Sequence, residues 1–229
     1  MSADNRYEDV IKREMAKLKK PVRLKVFTSR RSKSDGSFTR ECEQCHTIMN
    51  LLKVYEKYSN GLLTIDELSI YDDAEFAKRY DVERVPTILF VDDQGREIIR
   101  YLAAPLAGEI QPFIQALFTF AGVPNYYEAT IKQNLNRIEP STIKVMMTMS
   151  CPYCPQVVQI CNSFALASGG KIRSVIIDIG DPSNSDIARY YDSKGVPYTI
   201  INDRKTLVGM VGPNEILREL IGGNIRVQY

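Results

Sequence analysis

The chain repeats one pattern twice, and this repeat is the strongest constraint on its fold. Each half runs from an amphipathic helix into a strand with alternating apolar residues, and then meets a Cys-x-x-Cys pair. After the cysteines, both halves continue with the same elements in the same order: a helix, a strand, a second helix, a Val-Pro dipeptide that opens a strand, a hairpin strand and a last helix. Cys42 lies 44 residues before Pro86, and Cys151 lies 46 residues before Pro197. The repeat predicts two copies of one α/β unit.

The two predicted units meet at the segment "AGVPN", residues 121–125. Gly122 is typical of the end of a helix, and Pro124 opens the next segment. We therefore expect an N-terminal unit over residues 1–121, carrying the motif "CEQC", and a C-terminal unit over residues 122–229, carrying "CPYC".

The halves differ between the first strand and the dithiol. The first half carries the insertion "SRRSKSDGSFTRE", where the second half has only a few residues. Its serines and Gly36 predict a mobile loop. The sequence leaves three interpretations of this insertion open: a solvated loop, a basic segment that steers an acidic partner, or a lid over Cys42.

Charge and hydropathy exclude two classes of partner. The 229 residues include 30 basic and 28 acidic side chains, a net charge of +2 that is too balanced for nucleic acid as the main partner. The N-terminal segment is polar, and no apolar run is long enough to cross a bilayer. We therefore expect a soluble cytoplasmic protein. In that compartment disulfides are rare and usually catalytic, so two Cys-x-x-Cys pairs point to redox chemistry.

The two motifs, each with its own Val-Pro at matched spacing, resemble those of the protein disulfide oxidoreductases of hyperthermophilic archaea and bacteria, which are also described as glutaredoxin-like. "CPYC" is in addition the glutaredoxin active-site sequence. The resemblance covers almost the whole chain. It implies an α/β protein with two tandem thioredoxin-fold units, each a mixed central β-sheet flanked by α-helices. It also implies a thermophilic source.

Disulfide exchange needs one exposed thiolate and a second thiol that resolves the mixed disulfide. A helix N-terminus favours the thiolate, because unpaired N–H groups and the positive end of the helix dipole face it. Pro152 fits an early position in such a helix. We predict that Cys151 and Cys42 attack the substrate disulfide and that Cys154 and Cys45 resolve the intermediates.

The two dithiols are not expected to be equal. Cys42 is flanked by Glu41 and Glu43, whose charges oppose a thiolate, whereas no acid adjoins Cys151. Cys151 is therefore predicted to be the more reactive thiol. His46, directly behind the first motif, is either a cation that favours the Cys42 thiolate or an incidental residue on the helix surface.

The resemblance also implies roles outside the cysteines. In thioredoxin-like proteins the residue before a cis-proline faces the dithiol and pairs its backbone with substrate, and Val85–Pro86 and Val196–Pro197 match that position. The implied partners are protein disulfides, a thioredoxin-reductase-like flavoprotein and a peroxiredoxin. No dissociable cofactor is implied, because the dithiols carry the electrons. Reduction, oxidation and isomerisation use the same residues, so the direction stays open.

One feature of thioredoxins is missing from this sequence. Thioredoxins carry a buried acid, in the strand before the motif, that accepts the proton of the resolving thiol. The corresponding strands here offer Lys25 and Lys144 but no carboxylate. The route of that proton is therefore not assigned by the sequence.

Three other interpretations compete with a redox dithiol. "CEQCH" matches a haem attachment motif, but the second motif has no histidine, and the polar N-terminal segment leads us to expect no export signal. A four-cysteine zinc site needs pairs about 15–20 residues apart, whereas Cys45 and Cys151 are 106 residues apart. An adaptor with vestigial dithiols remains as the alternative from another functional class.

Cys161, in an apolar helical context, is either a buried hydrophobe or a regulatory thiol.

Overall fold

The computed structural model describes residues 3–222, so the ends of the two predicted units, 1–2 and 223–229, lie outside the described residues. The elements of the first half are α1 (Ala3–Met15), β1 (Val22–Thr28), β2 (Arg30–Ser32), β3 (Phe38–Arg40), α2 (Glu43–Lys57), β4 (Leu63–Ser69), α3 (Ala74–Arg79), β5 (Thr87–Val91), β6 (Glu97–Leu102) and α4 (Ile110–Phe120). Those of the second half are α5 (Glu128–Asn134), β7 (Ser141–Met147), α6 (Cys154–Ala167), β8 (Ile172–Asp178), α7 (Ser185–Tyr190), β9 (Tyr198–Ile201), β10 (Lys205–Val208) and α8 (Pro213–Leu220). Apart from β2 and β3, both halves follow the predicted order.

Each half contributes four strands to a mixed sheet, which confirms the predicted α/β architecture. In the first half β1 pairs in parallel with β4 and antiparallel with β5, and β5 pairs antiparallel with β6. In the second half β7 pairs in parallel with β8 and antiparallel with β9, and β9 pairs antiparallel with β10.

The two four-stranded sheets are joined into one sheet of eight strands, a feature that the sequence did not predict. The order is β10-β9-β7-β8-β6-β5-β1-β4, and β6 and β8 pair in parallel from Ile99 opposite Ser174 to Leu102 opposite Ile177. Without this pairing β6 and β8 would be edge strands with unpaired backbone N–H and C=O groups. The carboxyl ends of β6, β8 and β7 consequently lie side by side at one edge of the sheet.

Helices cover both faces of the sheet, because alternate strand residues point to opposite sides. In β1, Leu24 and Val26 belong to the main core, together with Ile11 of α1. Phe27 belongs to a separate cluster with Ala77 of α3. Among the described residues, no helix is long and apolar enough to cross a membrane.

The insertion before the first dithiol is an ordered β-hairpin, which corrects the prediction of a mobile loop. Strands β2 and β3 pair antiparallel, and Gly36 takes a φ of 81° in the connecting turn. Arg40 of β3 forms an ion pair with Glu67 of β4 at 2.6 Å, and both side chains are about nine-tenths buried. Thr28 also donates a hydrogen bond to Glu67 at 2.7 Å. These buried polar contacts hold the hairpin against the sheet, and the serine-rich sequence gave no sign of them.

Candidate functional site

The first dithiol lies at the start of α2. Cys42 is the N-cap residue, with extended backbone angles, and its Sγ accepts a hydrogen bond from the N–H of Cys45 at 3.1 Å. The two cysteines form a disulfide with their Cα atoms 5.2 Å apart. Cys45 is fully buried, whereas Cys42 is partly exposed. Of the two sulfurs, only that of Cys42 therefore belongs to a residue with part of its surface exposed to solvent.

The second dithiol repeats this geometry. Cys151 and Cys154 form a disulfide with Cα atoms 5.5 Å apart, and the N–H of Cys154 donates to Sγ of Cys151 at 3.1 Å. Cys154 is fully buried and Cys151 is partly exposed. Helix α6 begins only at Cys154, so Pro152 precedes the helix instead of occupying its first turn. A residue before proline disfavours the helical region, which explains why the helix does not extend back to Cys151.

Both Val-Pro dipeptides are found next to turns at the start of a strand. The Val85–Pro86 and Val196–Pro197 peptide bonds are cis, as the resemblance implied. The carbonyl oxygen of Val85 lies 3.7 Å from Sγ of Cys42, which brings this dipeptide to the first dithiol. The carbonyl oxygen of Pro197 accepts a hydrogen bond from Gly209 at 2.8 Å.

Ser29 is a residue of the first site that sequence reasoning missed. It is buried directly after β1, its Oγ accepts a hydrogen bond from the N–H of Cys42 at 2.8 Å, and it lies 3.8 Å from Sγ of Cys45. Thr148 follows β7 at the corresponding place, and there it is the backbone carbonyl that accepts from the N–H of Cys151, at 3.1 Å. A hydroxyl residue immediately after the strand was the available sequence signal.

The charges around the first motif are mostly paired. Glu41 accepts a hydrogen bond from Arg31 at 2.8 Å, and Tyr71 lies 3.3 Å from its other oxygen. His46 is exposed, and its Nε2 lies 3.1 Å from the carbonyl oxygen of Arg40, so its ring contacts the hairpin. The described residues contain no group of three or more His, Cys, Asp or Glu side chains placed to hold a metal ion.

An ion pair connects the two halves beside the first Val-Pro. Arg84 donates two hydrogen bonds to the carboxylate of Asp186 on α7, at 3.0 and 2.9 Å, and a third to the carbonyl of Ser183 at 2.7 Å. The hydrogen bonds from Arg84 to the carboxylate, together with the positive charge of Arg84, lower the pKa of Asp186 to about 2. A cavity of about 190 Å³ adjoins Arg84, and both halves line it, with Gln44 of the first motif on one side and Met149 and Asp178 on the other.

A buried carboxylate is the second residue that sequence reasoning missed. Glu109 precedes α4 and is 1% exposed, and neither of its oxygens has a hydrogen-bond partner among the described residues. Burial, together with the nearby negative charge of Asp178, raises its pKa to about 7. The available signal was its isolation, because Glu109 is the only charged residue between Arg100 and Glu128.

Cys161 is fully buried in α6, two turns after Cys154. Burial raises its pKa well above the ordinary value. We therefore expect Cys161 to stay unmodified when the reduced, folded protein is treated with iodoacetamide, while Cys151 is alkylated. Peptide mass mapping measures both. Modification of Cys161 at a rate close to that of Cys151 would contradict its burial.

Comparison with known proteins extends these observations. Residues 141–222 match the family model described as a thioredoxin domain. An NADH dehydrogenase of Ferdinandcohnia aciditolerans is 27% identical over 179 residues, which cover 76% of this chain and 34% of that protein. The chain thus spans about a third of the length of this relative.

Two solved structures share the whole architecture. A protein disulfide oxidoreductase from Aeropyrum pernix superimposes with a TM-score of 0.77 at 27% identity, covering 97% of this chain and 93% of that chain. The NTD_N/C domain of the alkylhydroperoxide reductase AhpF from Enterococcus faecalis gives a TM-score of 0.77 at 18% identity, covering 96% and 100% of the two chains. The tandem arrangement of two thioredoxin-fold units is therefore shown.

Proposed function

We propose that this chain, a tandem of two thioredoxin-fold units, is a thiol–disulfide oxidoreductase that exchanges electrons with protein disulfides. The observation that carries the proposal is the geometry common to both dithiols. Each pairs a partly exposed cysteine with a fully buried one at the start of a helix. The likeness to the Aeropyrum pernix oxidoreductase over 97% of the chain supports the same function.

The proposed reaction has two exchange steps. The thiolate of Cys151 or Cys42 attacks one sulfur of the substrate disulfide, and the other substrate sulfur leaves with the electron pair. Cys154 or Cys45 then loses its proton and attacks the mixed disulfide, so that the enzyme dithiol is oxidised and the substrate is reduced by two electrons. The N–H groups of Cys154 and Cys45 stabilise the attacking thiolates, because they already donate to Sγ of Cys151 and Cys42.

Each unit, over residues 1–121 and 122–229, is proposed to bind substrate along its own Val-Pro. Val85 and Pro86 serve the first dithiol, and Val196 and Pro197 serve the second. The proximity of the Val85 carbonyl to Cys42 supports this assignment in the first unit.

The proposed partners are a thioredoxin-reductase-like flavoprotein and a peroxiredoxin, with the cytoplasm as the compartment. Support comes from the names of two similar proteins, since one is a domain of an alkylhydroperoxide reductase and the other is an NADH dehydrogenase. The direction of exchange follows from the potential of the partner, because about 30 mV shifts a two-electron equilibrium tenfold.

Reduction of insulin driven by dithiothreitol tests the proposal. We expect Cys151→Ser to remove most of the rate and Cys42→Ser to remove little, because the absence of adjacent acids predicts that Cys151 is the more reactive thiol. The double variant is the control for uncatalysed reduction. A wild-type rate equal to that of the double variant would overturn the proposal and favour an adaptor or a metal-binding protein.

A further inference from the structure

Ser29 lies where the chain leaves β1 and enters the hairpin of the first unit, and it is 4% exposed. The backbone on both sides of it is fixed at the end of β4. The carbonyl of the preceding residue, Thr28, accepts the N–H of Ile70 at 3.1 Å. The carbonyl of the following residue, Arg30, accepts the hydroxyl of Ser69. The side chain of Ser29 is therefore held in one place beside the first dithiol.

The contacts of Ser29 determine which way its O–H group points. A serine hydroxyl has one proton to donate and two lone pairs that accept. The backbone N–H of Cys42 donates to Oγ at 2.8 Å, which occupies a lone pair. Sγ of Cys45 lies 3.8 Å from the same oxygen and, in the described part of the chain, is the one hydrogen-bond acceptor of its proton. The O–H group thus points at the buried sulfur of the dithiol.

The second dithiol lacks this contact. Thr148 follows β7 at the position that corresponds to Ser29, but its hydroxyl lies 3.5 Å from Oγ of Ser150. The N–H of Cys151 is satisfied by the backbone carbonyl of Thr148. Among the described residues, no side-chain hydroxyl donates to Sγ of Cys154. A donor to the buried sulfur is therefore a property of the first dithiol alone.

The buried sulfur is the one that most needs a donor. In disulfide exchange, negative charge develops on the sulfur that attacks and on the sulfur that leaves. Sγ of Cys42 belongs to a partly exposed residue and receives the N–H of Cys45. Cys45 is fully buried, so solvent stabilises charge on its sulfur poorly. The hydroxyl of Ser29 is in place to stabilise that charge.

We propose that Ser29 is a catalytic residue of the first dithiol and that its hydroxyl stabilises the thiolate of Cys45. The inference rests on the proposed disulfide exchange. When an external thiolate attacks Sγ of Cys42, the Cys42–Cys45 bond breaks and its electron pair moves to Sγ of Cys45, which accepts the O–H of Ser29. The Cys45 thiolate then takes a proton from solvent. In the reverse direction Cys45 releases its proton to solvent, its thiolate attacks Sγ of Cys42 in the mixed disulfide, and the partner sulfur leaves with the electron pair.

A donor of this kind changes rates and leaves the equilibrium unaltered, because it acts on charge that is present only during the exchange. The sulfur of Cys45 is neutral in the disulfide, and a buried thiol keeps its proton in the resting dithiol. The opening and the closing of the disulfide are therefore accelerated equally. A hydrogen bond to a charged group is strong enough to change a rate about ten-fold.

The test uses the C151S/C154S protein, which retains only the first dithiol. The reduced protein is mixed with dithiobis(nitrobenzoate), which releases one thionitrobenzoate when Cys42 attacks and a second when Cys45 resolves the mixed disulfide. The first phase thus reports on Cys42 and the second on Cys45. Two further measurements on the same protein are the rate at which dithiothreitol opens the disulfide and the equilibrium constant of that reaction.

Ser29→Ala is expected to slow the second phase about ten-fold, and the opening by dithiothreitol by the same factor. The first phase and the equilibrium constant should stay unchanged. Ser29→Thr retains the hydroxyl and should restore part of both rates. Ser37→Ala is the matched control, because Ser37 is exposed on the same hairpin and its hydroxyl donates to Asp35 at 2.6 Å. This control should match the parent protein in every measurement.

An unchanged second phase in Ser29→Ala would overturn the role of Ser29. Equal slowing of both phases, or a ten-fold shift of the equilibrium constant, would also overturn it, because Ser29 would then act on the conformation of Cys42 and not on charge at Cys45. Ser29→Ala in the C42S/C45S protein should leave both phases of the second dithiol unchanged, and slowing there would count against the proposal. A second phase missing from the C151S/C154S parent alone would overturn this inference, whereas its loss from both parents would overturn the proposed function as well.

Discussion

Raising the pH from 4.5 to about 7 is expected to lower the free energy of unfolding of the wild-type protein by about 3 kcal/mol more than it lowers that of the Glu109→Gln variant. Below pH 4.5 the Glu109 carboxyl is protonated in both the folded and the unfolded chain. Between pH 4.5 and about 7 the unfolded chain releases this proton while the folded chain retains it, so the free energy of unfolding falls as pH rises. Above that range both states are ionised and the difference levels off.

Urea denaturation at a series of pH values measures this difference. Glu139→Gln is the matched control, because Glu139 is exposed and its pH curve should run parallel to that of the wild type. If Glu109 were solvated, wild type and Glu109→Gln would show a constant difference across the range, and if it were paired with a cation, wild type would gain stability relative to the variant as pH rises. Either outcome would contradict its unpaired burial.

Phe113→Ala is expected to lower the free energy of unfolding by about 3–5 kcal/mol. Phe113 is fully buried on α4, and its ring lies edge-on to Tyr55, Phe90 and Tyr101 with centroids 5.3, 5.6 and 5.3 Å away. Tyr55 donates a hydrogen bond to the carbonyl of Pro105 at 2.7 Å, and Tyr101 accepts one from Asn162. These hydrogen bonds hold the two tyrosine rings in place, so the cavity left by the substitution cannot close.

Phe76→Ala is the control for Phe113→Ala. Phe76 lies on α3 and is 44% exposed, so its truncation should cost less than about 1 kcal/mol. Chemical denaturation of both variants gives the comparison. Similar losses for the two substitutions would show that the aromatic cluster around Phe113 repacks and does not hold the core.

Local patterns were sufficient for much of the candidate site. A Cys-x-x-Cys pair ahead of an amphipathic helix defines which sulfur is exposed, because helix geometry directs the second cysteine inward. The alternation in β1 and β7 and the Val-Pro dipeptides identified the strands that flank each dithiol. Pro152 was misplaced by a few residues, since the helix start depends on the conformation of Cys151 before proline.

Contacts between segments that are distant in the chain could not be predicted from local sequence patterns. The ion pair of Arg40 with Glu67 spans 27 residues and converts a serine-rich insertion into a hairpin. Ser29 reaches Cys42 across that same hairpin. Neither contact leaves a periodic signal, because each involves single polar residues whose burial depends on the packing of other elements.

The sequence by itself determined the repeat, the two dithiols and the α/β class. Each of these depends on residues that are close together in the chain, and the same pattern occurs in both halves. The tertiary structure alone decided that the two units share one sheet through β6 and β8. That pairing brings the carboxyl ends of β6, β8 and β7 together and carries Glu109 of the first unit to the helix of the second dithiol. Edge-strand pairing is made of backbone hydrogen bonds, which any sequence can form, and so it leaves no mark in the residues themselves.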